Sequence, residues 1–319
     1  MNSTHYRLQR QKSGALAVHN AAYAETMHPG AGPWVEATSL YVQGSGLAAQ
    51  LCTPGDDPLV LFDVGLGAAA NALAAVTCHD ELRRRGKRPR PLHIVSFEAD
   101  PAAVHFAIEE AEALGYPRGH EALLGELLAA GCVEREDGLL WELRLGDFTR
   151  LIREEPARAD VIFFDPFSPR ANPDMWSLST LETLYQCRRR AGRLRLVTYS
   201  TAYGTRAGLL LAGFFVGEGP QSIPGGGTRR AGTIAATWLA DLERPLTPAW
   251  LARWRHDREP WPPKTSAAAH RELRERLAEH PQWAQFPEPP EPSPRQARHP
   301  RFQTGGGAGA QRPRRPRRR

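Results

Sequence analysis

Residues 160–176, which read DVIFFDPFSPRANPDMW, constrain the fold of this 319-residue chain more than any other segment. Four apolar residues run into Asp165, and the prolines that follow stop the strand, because proline has no N–H to donate to a central sheet. This pattern predicts a buried strand that delivers one carboxylate to its C-terminal end and then opens into an irregular loop. Ligands bind at that end of the strands in an open α/β sheet. The loop contains residue types that contact a planar or amine-bearing ligand: Phe167, Ser168, Asn172 and Trp176.

Short apolar runs alternate with helix-like segments across the middle of the chain. Strands are predicted at 59–64, 92–97, 139–145, 161–164 and 194–199, with a closing antiparallel pair at 214–217 and 233–239 around the glycines at 225–227. Helices are predicted at 68–84, 101–114, 121–130, 179–190 and 205–212. This alternation favours an α/β fold with a mostly parallel, seven-stranded sheet and helices on both of its faces.

Changes in composition divide the chain into four parts. Turn signals between short apolar runs predict a small N-terminal β cap at 1–55, and the α/β pattern occupies 56–242. The pattern of residues 243–286 predicts a charged helical extension. Residues 287–319 are rich in Pro and Arg, and we expect them to be disordered, because they lack the apolar content that offsets chain entropy.

The net charge of +6 is unevenly distributed. Residues 293–319 contain nine arginines and no acidic residue, and removing these charges leaves −3 for residues 1–292. The folded part is therefore slightly acidic, which argues against a surface built as a whole for nucleic acid. The arginines at the end of the chain either attract RNA phosphates or serve only as a solubilising tail.

Several function classes are excluded by the sequence pattern. The chain has no run of 18 apolar residues, so no membrane span is predicted. The N-terminus has no apolar signal core. The four cysteines lie far apart and the eleven histidines show no ligand spacing, so we expect reduced thiols, no metal site and a cytoplasmic location. Phosphate-loop, serine-hydrolase and zinc-protease motifs are missing.

Four candidate ligand-binding features follow one another along the chain, each at the C-terminal end of a predicted strand. Asp63-Val-Gly65-Leu-Gly67 follows the first strand, where glycines let the backbone approach a ligand closely. Glu98 ends the second strand, where a carboxylate can accept the hydroxyls of a ribose. Asp147, followed by Phe148, is placed to accept from an adenine amino group while the ring packs on the base. Each feature has a plainer interpretation as a turn, a solvated strand end or a helix N-cap; the order, which ends at Asp165, favours the ligand site.

The form acidic-x-Gly-x-Gly is similar to that of S-adenosyl-L-methionine enzymes. Residues 164–176 resemble a more specific pattern, Leu-Asp-Gly-Phe-Ala-Pro, two residues, then Asn-Pro-x-Met-Trp. That pattern belongs to the methyltransferase half of the bifunctional bacterial enzyme that makes 5-methylaminomethyl-2-thiouridine in tRNA, and to its stand-alone relatives. Matching segments at 95–98, 145–147 and 198–200 follow in the expected order, so the resemblance covers roughly residues 20–240.

The resemblance implies a Rossmann-like class I methyltransferase fold, with S-adenosyl-L-methionine as cofactor and the anticodon region of tRNA as partner. It assigns the catalytic carboxylate to Asp165. It assigns cofactor binding to Asp63, Gly65, Gly67, Asn71, Glu98, Asp147 and Phe148. It assigns substrate binding to Phe167, Ser168, Asn172, Trp176 and Tyr199, with ordinary core packing as the alternative for the three aromatic residues. Nothing in the sequence resembles the flavin-dependent oxidase half, so we expect a methyltransferase that uses no flavin.

Two departures from the family pattern affect the site. Pro166 replaces a glycine beside the active carboxylate and stiffens the loop. Ala69 replaces the third glycine of the cofactor turn, where its methyl group is expected to narrow the cofactor site. The basic insert at 83–90 is either a phosphate contact or a solvated loop. Two other functions stay open: methylation of a small-molecule amine, and RNA binding without catalysis on the same fold.

Overall fold

The computed structural model describes residues 5–189, 192–220 and 232–286. Its strands are β1 Tyr6–Arg10, β2 Leu16–Asn20, β3 Glu25–Thr26, β4 Leu59–Val64, β5 Leu92–Glu98, β6 Cys132–Glu134, β7 Leu139–Leu145, β8 Val161–Phe164, β9 Arg195–Thr198, β10 Phe215–Glu218 and β11 Thr233–Ala236. All residues of β4 and β8 are buried, which explains why both strands read as unbroken apolar runs rather than alternating ones.

The helices cover both faces of the central sheet. They are α1 Pro33–Glu36, α2 Gln43–Ser45, α3 Leu47–Leu51, α4 Ala70–Arg84, α5 Ala102–Glu109, α6 Ala111–Leu114, α7 Glu121–Ala130, α8 Phe148–Glu154, α9 Leu178–Gln186, α10 Tyr203–Leu211, α11 Pro248–Trp254 and α12 His270–Ala278. A π-helical turn, Ala37–Val42, joins α1 to α2. Two apolar clusters, one on each face of the sheet, form the core. No helix in the described part of the chain has the length and apolar character needed to cross a bilayer.

The order of the strands determines where a ligand can bind. The central sheet runs β10-β11-β9-β8-β4-β5-β7-β6, and the chain leaves β4 towards β5 and β7 before it returns to β8 on the other side. Strands β9, β8, β4, β5 and β7 are mutually parallel. The order therefore reverses between β4 and β8, and a crevice opens at the C-terminal ends of strands at such a switch point.

Three expectations about secondary structure need correction. The sheet has eight strands rather than seven, because Cys132–Glu134 pairs antiparallel with β7 at one edge. The helix expected at 101–114 is divided into α5 and α6. The N-terminal cap is a β structure only as far as β3. Residues 33–51 are helical, because their apolar side chains pack against α4.

The helical character expected for residues 243–286 is present in α11 and α12. Trp250, Trp254, Leu273 and Leu277 are buried in the same apolar cluster as β8, so these helices complete one face of the core. The tail expected at 287–319 and the turn expected at 225–227 lie outside the described residues.

Candidate active site

A cavity of about 960 Å³ lies at the C-terminal edge of the sheet. Its walls come from the segments that follow β4, β5, β7 and β8, and residues 20–29 of the N-terminal sheet also line it. Sites for drug-sized ligands occupy roughly 300–1,000 Å³, so this cavity is at the upper end of the range. It has room for a nucleoside and part of a second ligand.

The turn after β4 brings the backbone close to the loop after β8. Gly65 has φ 86°, and a Cβ at this position would lie 2.8 Å from the carbonyl oxygen of Asp165. Glycine is therefore required both by the backbone conformation and by the close approach. Gly67 also lines the cavity, and its N–H donates to Glu98 Oε2 at 2.8 Å.

Ala69 also has a left-handed backbone conformation, with φ 63° and ψ 15°. This conformation is disfavoured for a residue with a Cβ. Its methyl group is fully buried and does not line the cavity. The expected narrowing of the cofactor site is therefore not observed.

Glu98 lines the cavity with a carboxylate that already accepts three backbone hydrogen bonds. The N–H groups of Ala99 and Asp100 donate to Oε1 at 2.8 and 3.1 Å, and that of Gly67 donates to Oε2. Burial raises the pKa of Glu98, although these N–H donors oppose the shift. Because a carboxylate offers about four acceptor positions, one on Oε2 stays available to a ligand hydroxyl.

Asp147 and Phe148 form the wall after β7. Asp147 caps α8, with its Oδ1 accepting from the N–H and the hydroxyl of Thr149, both at 2.8 Å. Its side chain nevertheless lines the cavity, so the N-cap and ligand interpretations are compatible. Phe148 is buried and packs edge-on against Phe97, with ring centroids 5.2 Å apart.

Two residues assigned to the cofactor do not line the cavity. Asp63 is fully buried and accepts from Ser96 Oγ at 2.8 Å, and Ser96 in turn accepts from the indole N–H of Trp141. Burial raises the pKa of Asp63 to about 7. Asn71 is also buried, and its Nδ2 donates to Asp165 Oδ2 at 2.7 Å. Both side chains lie beneath the turn after β4.

Asp165 occupies the junction between the two halves of the cavity. Its side chain is 13% exposed, and Oδ2 lies 3.5 Å from His28 Nε2. Burial raises the pKa of Asp165 to about 6, and the neighbouring His28 limits the rise. The carboxylate is therefore ionised at neutral pH but close to its titration range.

His28, which the sequence pattern did not identify, lies between two carboxylates. Its side chain is 8% exposed, with Nδ1 3.2 Å from Glu36 Oε1 and Nε2 facing Asp165. Burial by itself would lower the pKa of His28, but Asp165 and Glu36 raise it to about 9. The imidazole is therefore positively charged at neutral pH.

The loop after β8 is held by the N-terminal sheet. The rings of Phe167 and Tyr23 stack 4.4 Å apart at an angle of 21°, and Tyr23 is 45% exposed. Ser168 donates its N–H to Glu25 Oε2 at 2.9 Å, and its hydroxyl also donates to Glu25. Tyr23 and Glu25 were also missed, because residues 20–36 show turn signals but no periodic pattern.

The other assigned substrate residues are placed unequally. Asn172 and Tyr199 line the cavity, and the Tyr199 hydroxyl donates to the carbonyl of Pro166 at 3.1 Å. Trp176 does not line it: the ring is fully buried, packs against Phe164 and donates its indole N–H to the Phe167 carbonyl at 2.8 Å. The indole of Trp176 therefore supports the loop from below instead of lining the cavity, as was expected for a substrate contact.

The basic insert at 83–90 lies at the opposite edge of the sheet. It follows the C-terminal end of α4 and precedes the start of β5, whereas the cavity lies at the other end of both elements. A helix of 15 residues is about 22 Å long, so these side chains are remote from Asp165. In the described part of the chain, no cluster of three His, Cys, Asp or Glu side chains is arranged to hold a metal ion.

Comparison with known proteins identifies the chemistry of this fold. Residues 124–237 match the family model of S-adenosyl-L-methionine-dependent methyltransferases. The chain contains a methyltransferase domain of this family. The match confirms both the class I fold and the cofactor expected from the sequence.

Curated relatives with similar sequences are consistent with a methyltransferase domain in this chain. The tRNA 5-methylaminomethyl-2-thiouridine biosynthesis bifunctional protein MnmC of Paracidovorax citrulli is 29% identical over 240 residues, which are 73% of this chain and 34% of that protein. The protein of the same name from Azoarcus sp. is 32% identical over 242 residues, 72% of this chain and 35% of the relative. This chain thus spans about a third of the length of these relatives. The family resemblance expected from the sequence is confirmed.

A solved structure supports the fold of the methyltransferase domain. MnmC2 from Aquifex aeolicus superposes with a TM-score of 0.63 at 23% identity, over 86% of this chain and 83% of that one.

The cavity is compatible with S-adenosyl-L-methionine. One acceptor position of Glu98 is available for a ribose hydroxyl, and the rings of Phe97 and Phe148 offer an apolar wall to a base. The glycine turn leaves its backbone accessible beside Asp165. Two buried acceptors under the turn, Asp63 Oδ1 and Asn71 Oδ1, have no hydrogen-bond partner among the described residues.

Proposed function

We propose that the protein methylates the aminomethyl group on the modified wobble uridine of tRNA, converting 5-aminomethyl-(2-thio)uridine into 5-methylaminomethyl-(2-thio)uridine. The observation that carries this proposal is the position of Asp165. One side of this residue touches the glycine turn at Gly65, and its other side continues into Phe167 and Ser168. A methyl donor and an amine acceptor would therefore meet at this carboxylate. The choice of a wobble uridine as substrate rests on the names of the curated relatives.

Cofactor binding is assigned to the turn after β4, Glu98, Asp147 and Phe148. Glu98 would accept from the ribose, Asp147 from the adenine amino group, and Phe148 would pack on the base. Asp63 and Asn71 would act from beneath, with Asn71 orienting Asp165. Bound S-adenosyl-L-methionine supplies an electrophilic methyl group on a positively charged sulfur.

Asp165 would orient the acceptor amine and take its proton. An exposed alkylamine has a pKa near about 10.4, so it is protonated and not nucleophilic at neutral pH. Removal from water and nearby positive charge both favour loss of that proton. The rest of the catalytic effect comes from holding donor and acceptor in line, which is worth roughly 7–11 kcal/mol at best.

The substrate side offers an aromatic platform to an unstacked base. Tyr23 and Phe167 form a stacked pair on the wall of the cavity, with one ring half exposed. RNA-binding proteins commonly hold splayed bases on such rings. Ser168, Asn172 and Tyr199 line the same wall and would position the uridine. With tRNA as substrate, the protein would act in the cytoplasm.

The charge of the cavity favours a second candidate, a small-molecule amine methyltransferase. Acidic side chains dominate the charged lining: Glu25, Glu36, Glu98, Asp100, Asp147, Asp165 and Asp174. Among the described residues that line the cavity, only His5 and His28 are potential cations. An acidic pocket attracts a cationic amine whether or not RNA carries it.

Labelled S-adenosyl-L-methionine distinguishes these functions. The protein is incubated with tRNA from cells lacking the modification, in parallel with free alkylamines, and the digested nucleosides are analysed by mass spectrometry. We expect one methyl group on the wobble aminomethyl-uridine and none on the free amines. Transfer to free amines alone would replace the proposal with the second candidate. Failure to bind S-adenosyl-L-methionine in calorimetry would favour RNA binding without catalysis.

A further inference from the structure

The segment between β3 and α1 inserts an imidazole into the active site. His28 has φ 52°, and its side chain bridges Glu36 on α1 and Asp165 after β8, at 3.2 and 3.5 Å. All three side chains line the cavity and are at most 13% exposed. A buried ion triad of this kind costs desolvation energy, so it is unfavourable unless the charges are balanced.

The charges facing His28 come from several elements. Asp165 and Glu36 are the nearest carboxylates, and Asp63 on β4 acts from beneath with its pKa raised to about 7. The pKa values of the Tyr41 and Tyr199 hydroxyls are raised by burial, so both stay protonated. The imidazolium also lowers the pKa of Asp63, so its removal favours the protonated, neutral form of Asp63. The charges that differ most directly between the variants are those of Asp165, Glu36 and the imidazolium.

We infer that His28 is a positioning residue whose imidazolium sets the charge of the Glu36–His28–Asp165 triad so that the acceptor amine binds in its neutral, nucleophilic form. This inference rests on the proposed amine acceptor. Within this triad, the carboxylates of Asp165 and Glu36, the imidazolium of His28 and the adjacent donor sulfonium sum to zero. A neutral amine preserves that balance, whereas an ammonium adds an uncompensated charge. Without the imidazolium, the ammonium would balance the site and keep its proton.

The proton and electron changes follow from this balance. On binding, the substrate ammonium loses one proton to the Asp165 carboxylate, which passes it to solvent. The nitrogen lone pair then forms the new N–C bond, while the electron pair of the donor S–C bond stays on sulfur. The product is a secondary ammonium, and the sulfur ends as a neutral thioether.

The first test compares pH profiles of kcat for methyl transfer to tRNA at saturating substrate, because kcat reports the pKa of the bound amine. In His28→Gln, we expect the acidic limb to move up by at least one pH unit, with about a tenfold loss at pH 7 that largely recovers at pH 9. His93→Gln is the matched control, because His93 also pairs with a carboxylate, Glu142 at 2.7 Å, but lies near the opposite end of β5. It should leave the limb in place.

A second variant reverses the charge change. Glu36→Gln removes a negative charge from the same cluster, so its acidic limb should move to lower pH. An equal loss of activity at every pH in His28→Gln would show a purely structural role and overturn the inference. A shift of the acidic limb in the same direction in both variants would do the same.

A third measurement does not depend on turnover. In ¹⁵N-histidine NMR spectra of the ligand-free protein, the resonance lost in His28→Gln should titrate above pH 8. Titration at or below about 6.5, the ordinary value, would contradict a charged His28 at neutral pH. Wild-type activity on tRNA tests the proposed function separately, so an inactive wild type with a high His28 titration would refute only that function.

Discussion

The two walls of the cavity are built in different ways. The wall that we propose for the cofactor, called the cofactor wall, comprises residues 65–68, 98–100 and 146–149. It consists of turns at strand ends, and its contacts are mostly backbone N–H groups and short-range caps. The wall that we propose for the acceptor, called the acceptor wall, comprises residues 165–172 together with 20–36 and depends on side chains that are far apart in sequence. Glu25 and Ser168, for example, are separated by 143 positions.

This difference shows that the N-terminal sheet forms part of the cavity wall rather than a cap beside it. It supplies an aromatic ring, a carboxylate and a histidine to the acceptor wall. The cofactor wall requires only the strand-turn-helix pattern. The two walls should therefore respond separately to substitution, except at Asp165, which belongs to both.

Asp165→Asn should have the largest effect. The amide keeps the shape of the side chain but cannot take a proton, so kcat should fall by about 10²–10⁴-fold. The dissociation constant of S-adenosyl-L-methionine, measured by calorimetry, should change only a few-fold. A loss of cofactor binding equal to the loss of turnover would move Asp165 to the cofactor wall.

Glu98→Gln should weaken the cofactor wall alone. The amide places a donor beside backbone N–H groups and removes a charged acceptor, so the dissociation constant of S-adenosyl-L-methionine should rise about 10- to 100-fold. Affinity for tRNA, followed by filter binding, should not change. Glu112→Gln is the control, because Glu112 is 83% exposed and remote from the cavity. An unchanged cofactor affinity in Glu98→Gln would remove Glu98 from the site.

Tyr23→Ala should produce the converse result on the acceptor wall. Loss of a stacking ring costs roughly 1–3 kcal/mol per base, so KM for tRNA should rise about tenfold while cofactor affinity is retained. Tyr23→Phe keeps the ring and should behave like the wild type. If Tyr23→Ala methylates tRNA normally, the base does not stack at this pair.

Asp63→Asn should have the smallest effect and should appear in stability rather than activity. Because burial raises the pKa of Asp63 from 3.8 to about 7, the folded state loses stability as the pH rises through that interval. The amide avoids this cost but leaves a buried N–H without a partner. We expect a net gain on the order of 1–2 kcal/mol at pH 8 and none at pH 4, measured by urea unfolding. Equal gains at both pH values would contradict the explanation.

Much of the cofactor wall was predictable from sequence. Strands β4, β7 and β8 have the expected boundaries, and Gly65, Glu98 and Asp147 lie at strand ends on one cavity. The edge strand β6 was missed, because three residues carry no periodic signal. Asp63 and Asn71 lie beneath the turn and do not line the cavity, which sequence position alone does not reveal.

The acceptor wall shows where local sequence patterns stop being informative. Trp176 is a residue type that often contacts ligands. Its position away from the cavity depends instead on packing against Phe164 and Tyr199, which the local sequence does not indicate. His28 carries no signal of its own, because its charge depends on carboxylates from two other segments.

The amino-acid sequence by itself determined which polar residues follow the successive parallel strands: the glycine turn, then Glu98, Asp147 and Asp165. Backbone conformation depends on neighbours within a few positions, so proline, glycine and apolar runs suffice to predict it. Only the tertiary structure decided which side chains are buried, which face the cavity and which are charged. Those properties depend on desolvation and on groups that are brought together from distant parts of the chain.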